Sequence, residues 1–390
     1  MTNRQNRPLM MILGMLTLSV LVTGGLAVYL TLVRAQEGNA PAAEQPAAIV
    51  QSTDTLTGEQ RIAFVSDQEG GVAIYTMEAD GSNAQRISDP ALNFCAFPAW
   101  SPDGQRVAYV GTTGDPFADD EGEAAVWVSA TDGSEHVQVS DAESGVIFTQ
   151  PAWSPDGARL AFVSWEEAEG DEESHSIIHI VRADSGEVER NLTFPSEIHQ
   201  LAWSPTKDEL LVVSGDPDAR TYVHLMSTDS AEITELFRGA MMADWSPDGE
   251  SIVVGDYTSQ DVLVIELEDD QDLTPRPIAQ MTMQPLEIAW SPDGARVAVA
   301  TAGHYRQGYA TIIKIVTVET GEIATLAEGH GWVGWPRWSS DGQRLTFTWG
   351  HLSRSPGMPR ADLWLYDVAS GQTEQLTAGE GFEGMGVWSP

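Results

Sequence analysis

The chain has 390 residues, 42% of them hydrophobic, and a formal charge of −38. That is long enough for a large core, and the acidity works against binding the phosphate backbone of nucleic acid while favouring cations or basic partner surfaces. Cys95 is the only cysteine, so no intrachain disulfide can form, and its apolar surroundings read as a small buried hydrophobe.

Residues 1–8 form a short basic tail with Arg4 and Arg7, read as cytoplasmic. Residues 9–33 carry no charge and are long enough to cross a bilayer as one helix. A cleaved signal peptide has an apolar core of only about 7–15 residues, so the stretch reads as an uncleaved signal anchor. Two arginines precede it and Arg34 follows, which puts the bulk of the chain outside a bacterial cell membrane. Residues 34–58, rich in Ala, Pro, Gln and Ser, read as a flexible linker.

From residue 59 to 390 the pattern is short runs of β-branched and aromatic residues in a repeat. Trp100-Ser101-Pro102-Asp103-Gly104 returns at Trp153, Trp245 and Trp290. Degenerate copies stand at Trp203-Ser204-Pro205-Thr206-Lys207-Asp208 and Trp338-Ser339-Ser340-Asp341-Gly342, and Trp388-Ser389-Pro390 begins another. The tryptophans lie 42 to 53 residues apart, the period of a propeller blade. Each repeat reads as four strands, and the motif joins the first to the second. Pro sets the first corner, Asp caps backbone amides, and Gly supplies positive φ. The Trp is expected to wedge between blades, and the turn at Thr206-Lys207-Asp208, which lacks the glycine, to be built differently.

Residues 60–88 contain strands two to four without a first, whereas residues 384–390 read as a first strand alone. Together they make a seventh blade. The expected fold is therefore all-β, a seven-bladed propeller of four-stranded blades closed by N- and C-terminal strands, carried by one N-terminal transmembrane helix.

The motif, followed by two residues and an apolar run, resembles the TolB-type propeller repeat, also called WD40-like or PD40. The turn Ala79-Asp80-Gly81-Ser82-Asn83 after Ile74-Tyr75-Thr76-Met77 also fits that family's pattern. The resemblance implies the fold. Its members include periplasmic interaction proteins, propellers attached to serine peptidases, and carbohydrate-active relatives. The best-known TolB proteins have six blades beside an α/β domain. This chain departs in showing seven repeats and no such segment between the linker and the first blade.

No Gly-x-Ser-x-Gly elbow, His-Glu-x-x-His or phosphate loop is present. His175 and His179 are four apart but flank an expected strand, where that spacing leaves same-side residues well separated. The remaining place for chemistry is the channel mouth on the loop-bearing face, away from the Trp turns. There the sequence offers Phe97, Phe148, His199, Met242, His304, Tyr305, His330, Trp332, Trp335 and Phe382 as ligand-binding residues, beside acidic loops around 115–123 and 166–173. The alternative is that the apolar ones merely plug the channel.

The expected function is a monomeric, extracytoplasmic binding scaffold for an envelope or secreted protein, a peptide or a glycan. Catalytic residues, metal and cofactor are not expected. The second reading, set behind the first, is a propeller-type polysaccharide lyase or hydrolase. It would need a metal held by three or four of Gln150, His199, Gln200, Glu287, His304 and His330.

Overall fold

The computed structural model describes residues 60–114, 122–141, 150–166, 175–215, 220–267, 273–305, 308–329, 332–350 and 360–390. The tail, span and linker lie outside them. Among the described residues no helix is long and apolar enough to cross a membrane.

Seven four-stranded antiparallel sheets make the seven blades of a propeller. Blade 1 pairs the last strand, Glu383–Trp388, with Arg61–Ser66, Ala73–Glu78 and Gln85–Arg86. The innermost strands of blades 2 to 7 are Phe94–Trp100, Ala152–Trp153, Glu197–Trp203, Ala240–Trp245, Gln284–Trp290 and Trp332–Trp338. Their second strands are continuously apolar because both faces are covered, as in the fully buried run from Leu210 to Gly215. Outermost strands return to alternation, as in Val188–Phe194. Seven buried apolar clusters result, one at each blade boundary.

The Trp-Ser-Pro-Asp-Gly turn does two jobs. Within a blade it closes a hairpin. The Gly104 N–H donates to the Ser101 carbonyl at 2.9 Å, with Gly104 at φ 67°. Ser101 Oγ donates to Asp103 Oδ1 at 2.5 Å and accepts the Arg106 N–H at 3.0 Å, and Asp103 Oδ1 also accepts the Gln105 N–H. These bonds hold the Asp103 carboxyl below the usual carboxylate range, the Ser101 hydroxyl contributing most. The Thr206-Lys207 turn differs as expected: Ser204 Oγ accepts from both Thr206 and Lys207 N–H groups, and no residue there takes positive φ.

Between blades the Trp acts as a staple. Trp100, Trp153, Trp245 and Trp338 donate their indole N–H to Val387, Ala99, Ala202 and Ala289, each the residue just before the previous blade's motif Trp. The arginine after the turn locks the same joint from the other side. Arg106 lies 4.8 Å from the centre of the Trp153 ring and donates to the Gly157 carbonyl. Arg296 treats Trp338 and Gly342 in the same way. The indole N–H groups of Trp203 and Trp388 make no such bond among the described residues, and the boundary between blades 5 and 6 is built differently. Ser251 stands in the arginine's place, Trp290 donates to its own Gly294 carbonyl, and Asp244 accepts the Trp290 backbone N–H at 2.8 Å.

Candidate functional site

The innermost strands are bulged just before their motif Trp in six blades: register shifts fall at Ala96/Ala99, Ile198/Gln200, Ala240/Ala243, Pro285/Glu287, Gly334/Arg337 and, in blade 1, opposite Ala63/Val65. A bulge frees a backbone N–H and re-aims a side chain. At three of these positions a non-glycine residue takes positive φ: Phe97, Trp335 and Met385, at 60°, 52° and 55°. All three line one narrow pocket in the axial channel, with Pro98, Gln150, Arg337, Gly386 and Val387. The space it encloses is small, about 20 Å³.

Polar groups freed near the bulges are capped across blade boundaries. Gln200 makes a paired bond to the Ala243 backbone, 2.7 Å to its oxygen and 3.1 Å from its nitrogen. Thr348 Oγ1 accepts the Met385 N–H, and Gln150 reaches the Pro98 carbonyl at 3.4 Å. Glu287 Oε2 accepts the Trp335 N–H at 2.8 Å, while its Oε1 is buried without a hydrogen-bond partner. The ring therefore carries a few unlike members among small and apolar ones: Glu287, Asp244 and Arg337.

Their electrostatics are linked. Burial pushes the Glu287 carboxyl up to about 8, opposed by the Arg337 charge. Burial also raises Asp244 to about 6, opposed by the Trp290 N–H and by Arg337. Among the described residues the Arg337 side chain donates only to the neighbouring Pro336 carbonyl, at 2.9 Å, and has no ion pair within 4 Å. A half-buried guanidinium thus stands in the channel with most of its donors unengaged, beside two acids that burial drives toward neutrality.

A raised carboxyl binds its proton more tightly folded than unfolded, so its contribution is intact at low pH and declines as pH climbs from about 4.5 to about 8. Glu287→Gln keeps an acceptor for the Trp335 N–H and removes the ionisation. The variant is expected to melt several degrees above the parent at pH 8 and about equally at pH 5, read as Tm across that range. Parallel pH profiles for the two proteins would show that Glu287 is not the group responsible.

The residues singled out in the sequence have different fates. Phe97 and Trp335 line the pocket. Trp332 and Phe382 are each 1% exposed and pack edge-on against Trp335, so their rings support the pocket wall from behind. Gly350 is what admits the Trp332 indole, since a Cβ there would fall on the ring. Met242 is buried in the cluster between blades 5 and 6. The His199 side chain is 8% exposed, lies over Gly215, and is pushed by burial down to about 4, which keeps it neutral. Phe148 and His330 lie outside the described residues, as do the side chains of His304 and Tyr305. The acidic stretches 115–121 and 167–173 also lie outside them. Cys95 is fully buried and its thiol is pushed up to about 12 by burial. His179 is engaged by Ser164 and Asn191 and stacks on Phe162. Among the described residues no group of three or more His, Cys, Asp or Glu is placed to hold a metal ion.

Arg337 was not singled out, yet the repeat carries its signal. The residue before the motif Trp is alanine in four copies, valine once, and Asp244 and Arg337 in the other two. A charge at a position otherwise small and axial marks the channel wall.

Residues 148–325, less than half of the chain, match the family model described as eukaryotic translation initiation factor eIF2A. The chain is 28% identical over 224 residues to the uncharacterized peptidase YuxL of Bacillus subtilis, covering 54% of this chain and 31% of that protein. It is 47% identical over 62 residues to the Tol-Pal system protein TolB of Desulfosudis oleivorans, 14% of each. The chain thus spans less than a third of the length of either relative. Among solved structures, the oligogalacturonate lyase of Vibrio parahaemolyticus superposes with a TM-score of 0.57 at 13% identity, over 77% of this chain and 85% of that one, a likeness of fold. The motif, the seven four-stranded blades and the local TolB match together fit a TolB-like, or WD40-like, propeller repeat.

Proposed function

We propose that the propeller is a binding scaffold that receives part of a partner, an envelope or secreted protein, peptide or glycan, in its axial channel. The observation that carries this reading is the open pocket of Phe97, Trp335, Met385, Gln150 and Arg337. Rigid, bulge-held side chains surround a few unengaged polar donors, the usual composition of a recognition pocket. Residues 9–33 anchor the propeller to the outer side of a bacterial cell membrane.

A photo-crosslinking residue in place of Phe97, compared with one in place of the exposed Tyr257 on the rim of blade 5, tests the channel directly. Capture of a defined partner from envelope extract at 97 and not at 257 is expected. Equal capture at both sites, or none at 97, would remove the channel from the function. Release of the full chain from membranes by alkaline extraction would count against the anchor.

A further inference from the structure

We propose that the channel pocket recognises the free carboxylate end of a peptide with apolar last residues, held by the Arg337 guanidinium. The inference rests on the binding-scaffold reading and names its ligand. Three observations carry it. Arg337 lines the pocket and, among the described residues, its side chain donates only to the Pro336 carbonyl and has no ion pair within 4 Å, so its fork is open to a planar anion. Among the described residues the remaining wall is apolar on most sides, from Phe97, Trp335, Met385 and Val387, and Gln150 is its only other polar side chain. A sugar acid would leave its hydroxyls without partners there, whereas an apolar chain end would not. The pocket encloses only about 20 Å³, which suits an end group better than a chain lying across the face.

Charge sets the ligand class further. Two carboxyls interact electrostatically with Arg337 of blade 7: Glu287 of the adjacent blade 6 and Asp244 of blade 5. A dianionic phosphate meets more repulsion from them than a monoanionic carboxylate. When either acid is ionised it competes with the ligand for Arg337. Because their carboxyls are raised to about 6 and about 8, both lose charge as pH falls from 8 toward 5, and the ligand's own carboxylate stays ionised over that range. Binding of a peptide acid should therefore strengthen as pH drops.

The test uses the full-length protein and a fluorescein-labelled hexapeptide ending in leucine, as the free acid and as the carboxamide. The acid is expected to bind about tenfold more tightly than the amide at pH 6, with the ratio narrowing several-fold at pH 8. Arg337→Gln should abolish the discrimination, and Arg337→Lys should retain part of it. If Arg337→Gln does not fold, Arg337→Lys and the pH profile of the parent decide. Equal binding of acid and amide, no binding of either, or discrimination that survives Arg337→Gln would overturn the proposal. Digalacturonate displacing the peptide as well as the unlabelled peptide acid does would assign the pocket to sugar acids and overturn it too. The crosslinking outcome at Phe97 is independent: capture there without peptide-acid binding leaves the scaffold reading standing and removes this ligand.

Discussion

Deleting residues 383–390 is expected to unfold the protein rather than trim it. Those residues are the innermost strand of blade 1 and the start of its turn, and they pair with Arg61–Ser66 across the ring's only covalent gap. Their loss uncovers an edge carrying Ile62 and Phe64, which are 0% and 2% exposed. It also removes Trp388 and Met385 from the clusters on either side and takes away the Val387 carbonyl that the Trp100 indole uses. Losing one buried Trp costs about 3–5 kcal/mol and one buried Met about 2–5 kcal/mol. The whole margin of a folded domain is about 5–15 kcal/mol. The deletion should therefore leave little cooperative unfolding by circular dichroism and a void-volume species on size exclusion, since a bare strand edge recruits other chains. A truncated protein that stays monomeric with a Tm within a few degrees of the parent would show that six blades and an open sheet suffice.

Trp338→Ala is expected to rank, with Trp153→Ala, among the most damaging single substitutions of the motif tryptophans. The Trp338 ring is 9% exposed, its N–H donates to the Ala289 carbonyl at 3.0 Å, and the Arg296 guanidinium lies over it at 5.0 Å. Truncation forfeits packing worth about 3–5 kcal/mol and leaves the buried Ala289 carbonyl without its donor. Trp338→Phe separates the two contributions, since it keeps a ring beneath Arg296 and loses only the indole bond, for about 1–3 kcal/mol. Trp290→Phe is the internal comparison. Its N–H is spent on its own Gly294, so the same change there breaks no bond between blades and should cost less. Chemical denaturation of the three variants reads the order directly. If Trp290→Phe costs as much as Trp338→Phe, the staple is not what the indole N–H contributes.

The fold was legible because its determinants are local and repeated. Pro, Asp and Gly at fixed offsets specify a three-residue hairpin wherever they occur, and Gly104, Gly157, Gly249, Gly294 and Gly342 all take the positive φ they were expected to supply. The closing of the ring was legible too, since three strands without a first and a first without its followers complete one another only in space. Thr206-Lys207 was correctly set apart, because without glycine the same corner needs another donor arrangement.

The site was legible only in part. Phe97 and Trp335 were placed at the channel from their rank in the repeat, but Trp332 and Phe382, equally aromatic, lie behind them. Composition cannot separate a ring that lines a channel from one that backs it, since a single residue of bulge reverses which side a strand presents. Nor was Arg337 foreseen. Loop composition points to the loop-bearing face, whereas the pocket lies one to three residues from the motif Trp, within the inner strands themselves.

By itself the sequence determined the all-β class, the seven repeats, the turn that closes each hairpin and the pairing of the two ends, all of which follow from short-range stereochemistry and hydrophobic period. Tertiary structure alone decided which neighbour each Trp indole and each Arg would hold. It also decided where the bulges aim their side chains, and that Asp244, Glu287 and Arg337, from three blades, share one electrostatic environment. Those outcomes depend on how blades are rotated about a common axis, a relation that spacing along the chain does not encode.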